Sequence, residues 1–384
     1  MLIRYYGHVG VESGYGEAAA ETCMAILAAG LDLEISTDGK TLESRFLPLA
    51  GCIRQEAELD SPDVVIVHTL PLDCCKVLER ARIRERYPAA TCIAYTTWEG
   101  SSSISPDVGA SLLKFDQVWV PSSVTSYRMY PRRPGQAMRG AVMIVPHAFD
   151  DEAWTEPPPA EPVGAQPFRF YYVGAWAVRK NVDGLVRAYL STFAHTDNVE
   201  LIIHSASAAD SAATVAQFAC GLSGPCPKIR FSNWRMSRAE ILALHRECHV
   251  FVTASRGEAW NMPAFDAMLA GRHVIAPAGQ GSDDFLKDTS AALYGSFAAP
   301  AYGEVRLVHS DNAPPGHAHA VYLGNQGMDV RSEWREPDLL ELSTMMRDAY
   351  RRGVTSLRRR YDPAERFGRA AVGRLIKQIL EGSR

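Results

Sequence analysis

The 384-residue sequence predicts an α/β protein of two doubly wound, Rossmann-like domains facing a central cleft. Three observations carry that prediction. Short apolar, β-branched runs alternate with longer helical patterns along most of the chain. The alternation is interrupted once, at 151–167, where five prolines accompany only Trp154 and Val163 as sizeable apolar residues. Proline lacks an N–H and clashes inside a helix, so this stretch reads as a linker. The chain is also long enough for a separate core on each side of it.

In the first half, Leu2–Tyr6, Val64–His68, Thr91–Tyr95, Gln117–Val120 and Val142–Val145 read as strands, and the alanine-rich Tyr15–Ala29 as a helix stopped by Gly30. In the second half the strands are Phe168–Val173, Val199–His204, Ile229–Phe231, His249–Thr253 and His273–Ala276. Helices are expected at Val182–Phe193, Arg238–Glu247 and Pro263–Ala270, the second opened by a Ser237/Glu240 capping box. The predicted organisation is a first domain over 1–150, a linker over 151–167 and a second domain over 168–352. A terminal helix in 353–384, broken near Pro363, is expected to pack back toward the first domain.

Composition narrows the function classes. With 47% hydrophobic and 22% charged residues the chain is that of a folded globular protein. A net charge of −4 argues against whole-molecule electrostatic binding of nucleic acid, leaving local basic clusters. No apolar stretch reaches the length of a membrane span, and the N-terminus lacks the layout of a secretory signal. The eight cysteines form no CxxC pair, which argues against a zinc site and favours a reduced protein. The expected location is cytoplasmic, with peripheral membrane association open.

In open α/β sheets ligands lie beyond the carboxyl ends of the strands, so the loops there are where chemistry is expected. After His249–Thr253 comes Ser-Arg-Gly-Glu-Ala-Trp-Asn-Met-Pro-Ala-Phe-Asp, with Glu258 in the loop, Pro263 as the expected first helical residue and Asp266 one turn in. The N–H groups at Asn261–Ala264 would make an anion site at the helix start. A phosphate could lie there between two carboxylates suited to accept from hydroxyls of a sugar and a ribose.

This segment resembles the donor-binding motif of family-4-like retaining glycosyltransferases (glycosyl transferases group 1) of the GT-B fold, which has two acids separated by seven residues and then an Ala-Gly-x-Pro-Val-Ile-Ala strand. The resemblance implies that Glu258 holds donor-sugar hydroxyls and Asp266, one methylene shorter than the usual Glu, holds the ribose. Asn261 and Met262 would line the same site. Further segments are similar to that family. Val173-Gly-Ala-Trp-Ala-Val-Arg-Lys180 resembles its Val-Gly-Arg…Lys-Gly loop, which implies a tight exit at Gly174 and places Lys180 on the leaving diphosphate. Ala175 stands where that loop carries Arg, so Arg179 is expected to take over the second positive charge. The glycine-rich Gly7–Glu17 segment would bring Ser13, Gly14, Tyr15 and Gly16 to the donor. His68 and Glu99, both at strand ends, would line the acceptor side, and Val-Pro-Ser and Val-Pro-His segments extend the match over about residues 1–350. Ser232–Met236, with Trp234, and Ala206–Asp210 are expected at the base pocket.

The function so implied is retaining transfer of a hexose-type sugar from a UDP- or GDP-sugar to an acceptor hydroxyl. No metal is required on this reading: Asp150-Asp151 reads as the linker start and Asp283-Asp284 as a helix cap. Arg128, Arg132, Arg133 and Arg139 in the first half, and Arg351, Arg352 and Arg358–Arg360 near the end, suggest an anionic acceptor, either a lipid-linked glycan or nucleic acid. A transferase acting on a hydroxymethylated DNA base, a nucleotide-sugar-binding protein without activity and an epimerase of the same fold remain open alternatives.

Overall fold

A computed structural model describes residues 1–11, 13–37, 42–54, 61–100, 103–129, 142–154, 167–206, 225–298 and 334–382. They divide into two compact units, one built on Met1–Thr155 with Tyr361–Arg384, the other on the described residues between.

The first unit holds strands β1 (Leu2–Gly7), β2 (Asp32–Ser36), β3 (Val64–His68), β4 (Thr91–Tyr95), β5 (Gln117–Val120) and β6 (Val142–Ile144). They form one parallel sheet in the order β2-β1-β3-β4-β5-β6. Every residue of β3 and β5 is buried, as expected where helices cover both faces of a parallel sheet. The first helix, α1 (Gly14–Ala28), starts at the N-cap Ser13 and gives way to Gly30, whose φ of 71° glycine adopts without steric cost. Shorter helices follow: α2 (Pro71–Arg80), α3 (Ile83–Arg86), α4 (Pro106–Leu112) and α5 (Ser123–Met129).

The second unit holds β7 (Phe168–Val173), β8 (Val199–His204), β9 (Lys228–Ser232), β10 (Val250–Val252), β11 (His273–Pro277) and β12 (Ala292–Tyr294). Its parallel sheet runs β12-β11-β10-β7-β8-β9. Around it lie α6 (Val182–Thr192), α7 (Arg238–Glu247), α8 (Met262–Leu269), α9 (Asp283–Leu286) and α10 (Leu339–Arg352). Leu342, Met346 and Ala349 of α10 are buried in the same core as Leu185, Val186 and Tyr189 of α6. The short strands β13 (Ser296–Ala298) and β14 (Arg335–Pro337) pair antiparallel outside the main sheet.

The chain then returns to the first unit as α11 (Pro363–Phe367) and α12 (Arg369–Gly382). One terminal helix broken near Pro363 was the expectation. Instead Pro363 opens α11, where the N–H that proline lacks has no helical partner in any case, and the break falls at Gly368. Val372, Ile376, Ile379 and Leu380 of α12 join the core beside Ala25 and Ile26 of α1. A Cβ at Gly373 would collide with the Ala25 carbonyl oxygen, so the two helices meet at a distance that only glycine permits.

Strand order fixes where the loops converge. The first sheet turns from leftward to rightward growth between β1 and β3, the second between β7 and β10. Crevices outside the carboxyl ends at such switch points are where open α/β sheets take ligands.

Candidate active site

At the second switch point the loops after β7 and β10 are joined by charge. Glu258, in the loop after β10, is only 2% exposed. Lys180 Nζ donates to its Oε1 at 2.7 Å and its Oε2 at 2.9 Å, and Arg179 Nη1 lies 3.2 Å from Oε2. Burial pushes the carboxyl pKa up, but the fields of Lys180 and Arg179 outweigh it and hold it below the ordinary carboxylate value. Glu258 is therefore a carboxylate in a nearly dry site.

Lys180 is placed by a short 3-10 turn, Val178–Lys180, after which Asn181 adopts φ 50° and caps α6 by accepting from Gly184 N. A Cβ at Gly184 would lie 2.6 Å from the Asn181 side-chain amide and would displace that cap. Gly174 donates its N–H to His204 O at 3.1 Å, and a Cβ on it would stand 2.5 Å from Tyr172 Oη. Arg179 does not project toward a ligand as expected. It is buried, donating from Nη1 to Gly257 O at 2.6 Å, while its own carbonyl accepts from Arg256 N at 2.8 Å. Arg179 thus stitches the two loops together, and Lys180 is the more exposed of the two cations. Ala175, exposed, presents its carbonyl to Tyr172 Oη at 3.1 Å.

The helix after the loop begins at Met262, with Asn261 at φ 72° as its N-cap and Pro263 second. Asn261 Oδ1 already accepts from Ala264 N at 3.3 Å and Pro263 has no N–H, so the donors at this helix entrance are those of Asn261 and Met262 rather than four in a row. Asp266, on the next turn, is 5% exposed, and both its oxygens face Arg238, with Nη2 2.8 Å from Oδ1. Sequence reasoning missed Arg238, which it reads only as the first residue of a helix. It also missed Gln280, which donates to Ser255 O at 2.7 Å. Both partners are far away in sequence and carry no local signature.

On the β8–β9 side, His204 Nδ1 and Ser232 Oγ are 2.8 Å apart, and Ser205 N donates to Ser232 O at 2.9 Å. Trp234 stands beside them, 55% exposed, edge-on to His204 at 6.4 Å. Residues 207–210 of the expected base pocket lie outside the described residues, as do Arg132, Arg133 and Arg139. Asp283 and Asp284 open α9 rather than capping it from outside; Asp283 Oδ2 accepts from Gly279 N at 2.9 Å.

In the first unit, Ser13 caps α1 by accepting from Gly16 N at 3.0 Å, so Gly14, Tyr15 and Gly16 are its first helical residues and not part of the loop. A Cβ at Gly16 would overlap the Val11 carbonyl. Tyr15 Oη bonds Thr97 Oγ1. His68, at the end of β3, stacks on Tyr95 with 4.0 Å between ring centroids, and Tyr5 Oη bonds its Nδ1. Its Nε2 is buried without a hydrogen-bond partner among the described residues. Burial holds the His68 pKa well below its usual value, helped by His147 and His8, and the pKa of His147 is lowered to about 3 by burial. Glu99 is half-buried in the loop after β4. The candidate residues thus fall into two clusters, one at each switch point.

The basic clusters divide differently. Arg128 is buried in α5, unlike a ligand-contacting surface residue. Arg351, Arg352 and Arg358–Arg360 are exposed; Arg352 pairs with Asp348 at 3.1 Å, and Arg359 donates to the Met268 carbonyl near the end of α8 at 3.2 Å. Among the described residues no group of three or more His, Cys, Asp or Glu side chains could hold a metal ion, and no helix is long and apolar enough to cross a membrane.

Residues 167–301 match the family model described as Glycosyl transferases group 1. The matched segment includes the β7 and β10 loops with Lys180, Glu258 and Asp266. Among solved structures, the lipopolysaccharide outer core galactosyltransferase WaaB in its apo form aligns over all of both chains, with TM-score 0.58 and 15% identity. A glycosyltransferase from Rickettsia africae ESF-5 aligns over 99% of this chain and 98% of its own, with TM-score 0.59 and 13% identity. A trehalose-6-phosphate protein from E. coli bound with UDP-2-fluoro glucose aligns over 99% of each chain, with TM-score 0.54 and 10% identity. None of the curated proteins compared matches the chain in sequence. Residues 167–301 thus resemble group 1 glycosyl transferases, and the chain has the two-unit α/β fold, GT-B, of these structures.

Proposed function

We propose that this protein is a retaining glycosyltransferase that moves a hexose-type sugar from a UDP- or GDP-sugar to an acceptor hydroxyl without a metal ion. The observation that carries the reading is the buried Glu258 carboxylate, gripped by Lys180 beside the helix entrance at Asn261 and Met262. A carboxylate kept charged in a dry site is suited to accept from sugar hydroxyls, each such bond contributing about 1.5–3 kcal/mol. On donor binding the Lys180 ammonium exchanges the carboxylate for the diphosphate, and Glu258 is released to the sugar. The bond from the anomeric carbon to the phosphate oxygen breaks with its electron pair going to phosphate. The acceptor oxygen bonds to the same face of that carbon, and its proton passes to the departing phosphate. Lys180 and the N–H groups of Asn261 and Met262 oppose the charge that develops there. The UDP-sugar bound to the structurally similar trehalose-6-phosphate protein supports a nucleotide-sugar donor here.

On this reading Asp266 holds the ribose, Ser232 and Trp234 lie at the base, and Ser13, Tyr15 and Glu99 line the donor and acceptor with His68. Burial keeps His68 neutral at physiological pH, so it orients a hydroxyl rather than carrying charge. The exposed arginines at 351, 352 and 358–360 flank the amino ends of β11 and β12, opposite the crevice at the carboxyl ends, so the reading of an anionic acceptor, a lipid-linked glycan or a nucleic acid bearing a hydroxylated base, rests on their charge alone. The inward turn of Arg179 beside Ala175 favours a second reading, nucleotide-sugar binding without transfer. Donor turnover, followed as release of nucleoside diphosphate from a panel of UDP- and GDP-sugars, separates the two. Turnover lost in Glu258→Gln supports transfer; binding without turnover in the wild type supports the second reading.

A further inference from the structure

The turn that carries Lys180 is held by a carboxylate that belongs to neither loop of the site. Val178–Lys180 follows β7, and Arg256 of the loop after β10 grips its main chain twice. Arg256 N donates to Arg179 O at 2.8 Å, and Arg256 Nη1 donates to Val178 O. The other edge of the same guanidinium meets β14. Nε lies 2.8 Å from Glu336 Oε2 and Nη2 3.0 Å from Glu336 Oε1, a side-on fork that fixes the plane of the group. Glu336 Oε1 is also 3.5 Å from Nδ2 of Asn181, whose Oδ1 caps α6 directly after the turn. β14 is seated in turn by its pairing with β13, where Glu336 stands opposite Phe297, and by Arg335 N donating to Arg256 O at 3.4 Å. One carboxylate thus contacts the residues that hold the Lys180 turn from both sides.

Arg256 has an N–H from each of its three side-chain nitrogens committed within the protein, so it acts as a strut between elements. Lys180 has a different task. On the donor-site reading its ammonium leaves Glu258 for the diphosphate, and its flexible four-carbon stem loses freedom at each partner. A pivot that also moved would add the ordering of the backbone to the cost of the diphosphate contact. We infer that Glu336 is a positioning residue for Lys180, acting through Arg256 and Asn181 to hold the pivot from which the ammonium reaches the diphosphate. The inference rests on the donor-site reading above.

The test is a double-mutant cycle followed by calorimetric titration. UDP and GDP are each compared with the monophosphate of the same base, so the ratio of the two affinities isolates the contact to the second phosphate. The wild type is expected to prefer one diphosphate to its monophosphate by at least about 10-fold, as hydrogen bonds to a charged group predict. Lys180→Met lowers that ratio by about fivefold or more. Glu336→Gln, which keeps the shape of the side chain, lowers it by about threefold or more, while affinity for the monophosphate stays within about twofold of wild type. In the Lys180→Met background, Glu336→Gln leaves the ratio unchanged. Arg256→Lys keeps a cation without the fork and lowers the ratio in the same way, so it reports on the strut even where Glu336→Gln weakens the fold. A merely structural role would weaken both nucleotides together, or would add its loss to that of Lys180→Met. Either result, or an unchanged ratio in both Glu336→Gln and Arg256→Lys, would overturn the inference and leave the donor-site reading standing. A wild type that binds neither diphosphate, or a Lys180→Met variant with the wild-type ratio, would overturn the placing of Lys180 on the diphosphate and this inference with it.

Discussion

Lys180→Met isolates the charge pair at the centre of the site. The wild-type carboxylate of Glu258 is buried, and two of its contacts, at 2.7 and 2.9 Å, come from the Lys180 ammonium. Removing one partner of a fully buried ion pair typically costs about 3–5 kcal/mol, because the remaining charge is stranded. Two features reduce the figure here: Lys180 is partly exposed, and Arg179 stays 3.2 Å from Oε2. About 2–3 kcal/mol is therefore expected, a fall of roughly 5–10 °C in the melting temperature of a unit of this size. The pH dependence is the sharper test. Glu258 has a folded-state pKa below its unfolded value, so it contributes stability above the ordinary carboxylate pKa that is lost as pH falls through the folded one. In Lys180→Met burial is no longer fully opposed and the Glu258 pKa rises. The stability gap between variant and wild type should therefore be widest at neutral pH and narrow as the carboxyl group protonates. Thermal scans of both proteins from pH 7 down to about pH 4 measure this. A gap independent of pH, or smaller than about 0.5 kcal/mol throughout, would refute the argument that Lys180 neutralises a desolvated carboxylate.

Three further outcomes are expected. Glu258→Gln keeps the shape of the side chain but not its charge, and should lower donor turnover by about 10²–10³-fold, the range for losing one preorganised polar contact to the reacting group; circular dichroism checks that the fold persists. In the first unit, His147 is buried with its pKa lowered to about 3, so the native state resists a proton that the unfolded chain takes up below about pH 6.5. Stability should therefore fall as pH drops from there toward 3, by up to about 1.4 kcal/mol per pH unit from this group, and His147→Gln should flatten the slope. Gly373→Val should release α12 from α1, because a side chain there meets the Ala25 carbonyl; faster amide exchange across Arg369–Gly382 is the readout, with unchanged exchange counting against the contact.

Much of the fold is legible because parallel strands between two helical layers are apolar throughout. Val64-Val-Ile-Val-His68 and Val250-Phe-Val252 announce themselves in this way. β2 and β12 are not among the strands that the sequence predicts. Both are edge strands: β2 alternates Asp-Leu-Glu-Ile-Ser with one wet face, and β12 is three residues long. The helix start at Met262 is displaced by one residue from the sequence expectation because Asn261, at positive φ, takes the capping role that Pro263 obscures.

The sequence by itself determines the two α/β units, the proline-rich break between them, and the spacing that puts Glu258 before a helix and Asp266 inside it. Those properties are local: they follow from periodicity, caps and turns within a few residues. Which cation meets which acid is decided by tertiary structure. Lys180 and Glu258 are 78 residues apart, and Arg238 and Asp266 are 28. The first pair meets because the strand order sets β7 beside β10 at the switch point, the second because α7 and α8 begin side by side. Both pairings depend on burial, since a charge taken from water must find its counter-charge in the fold, wherever in the sequence that lies.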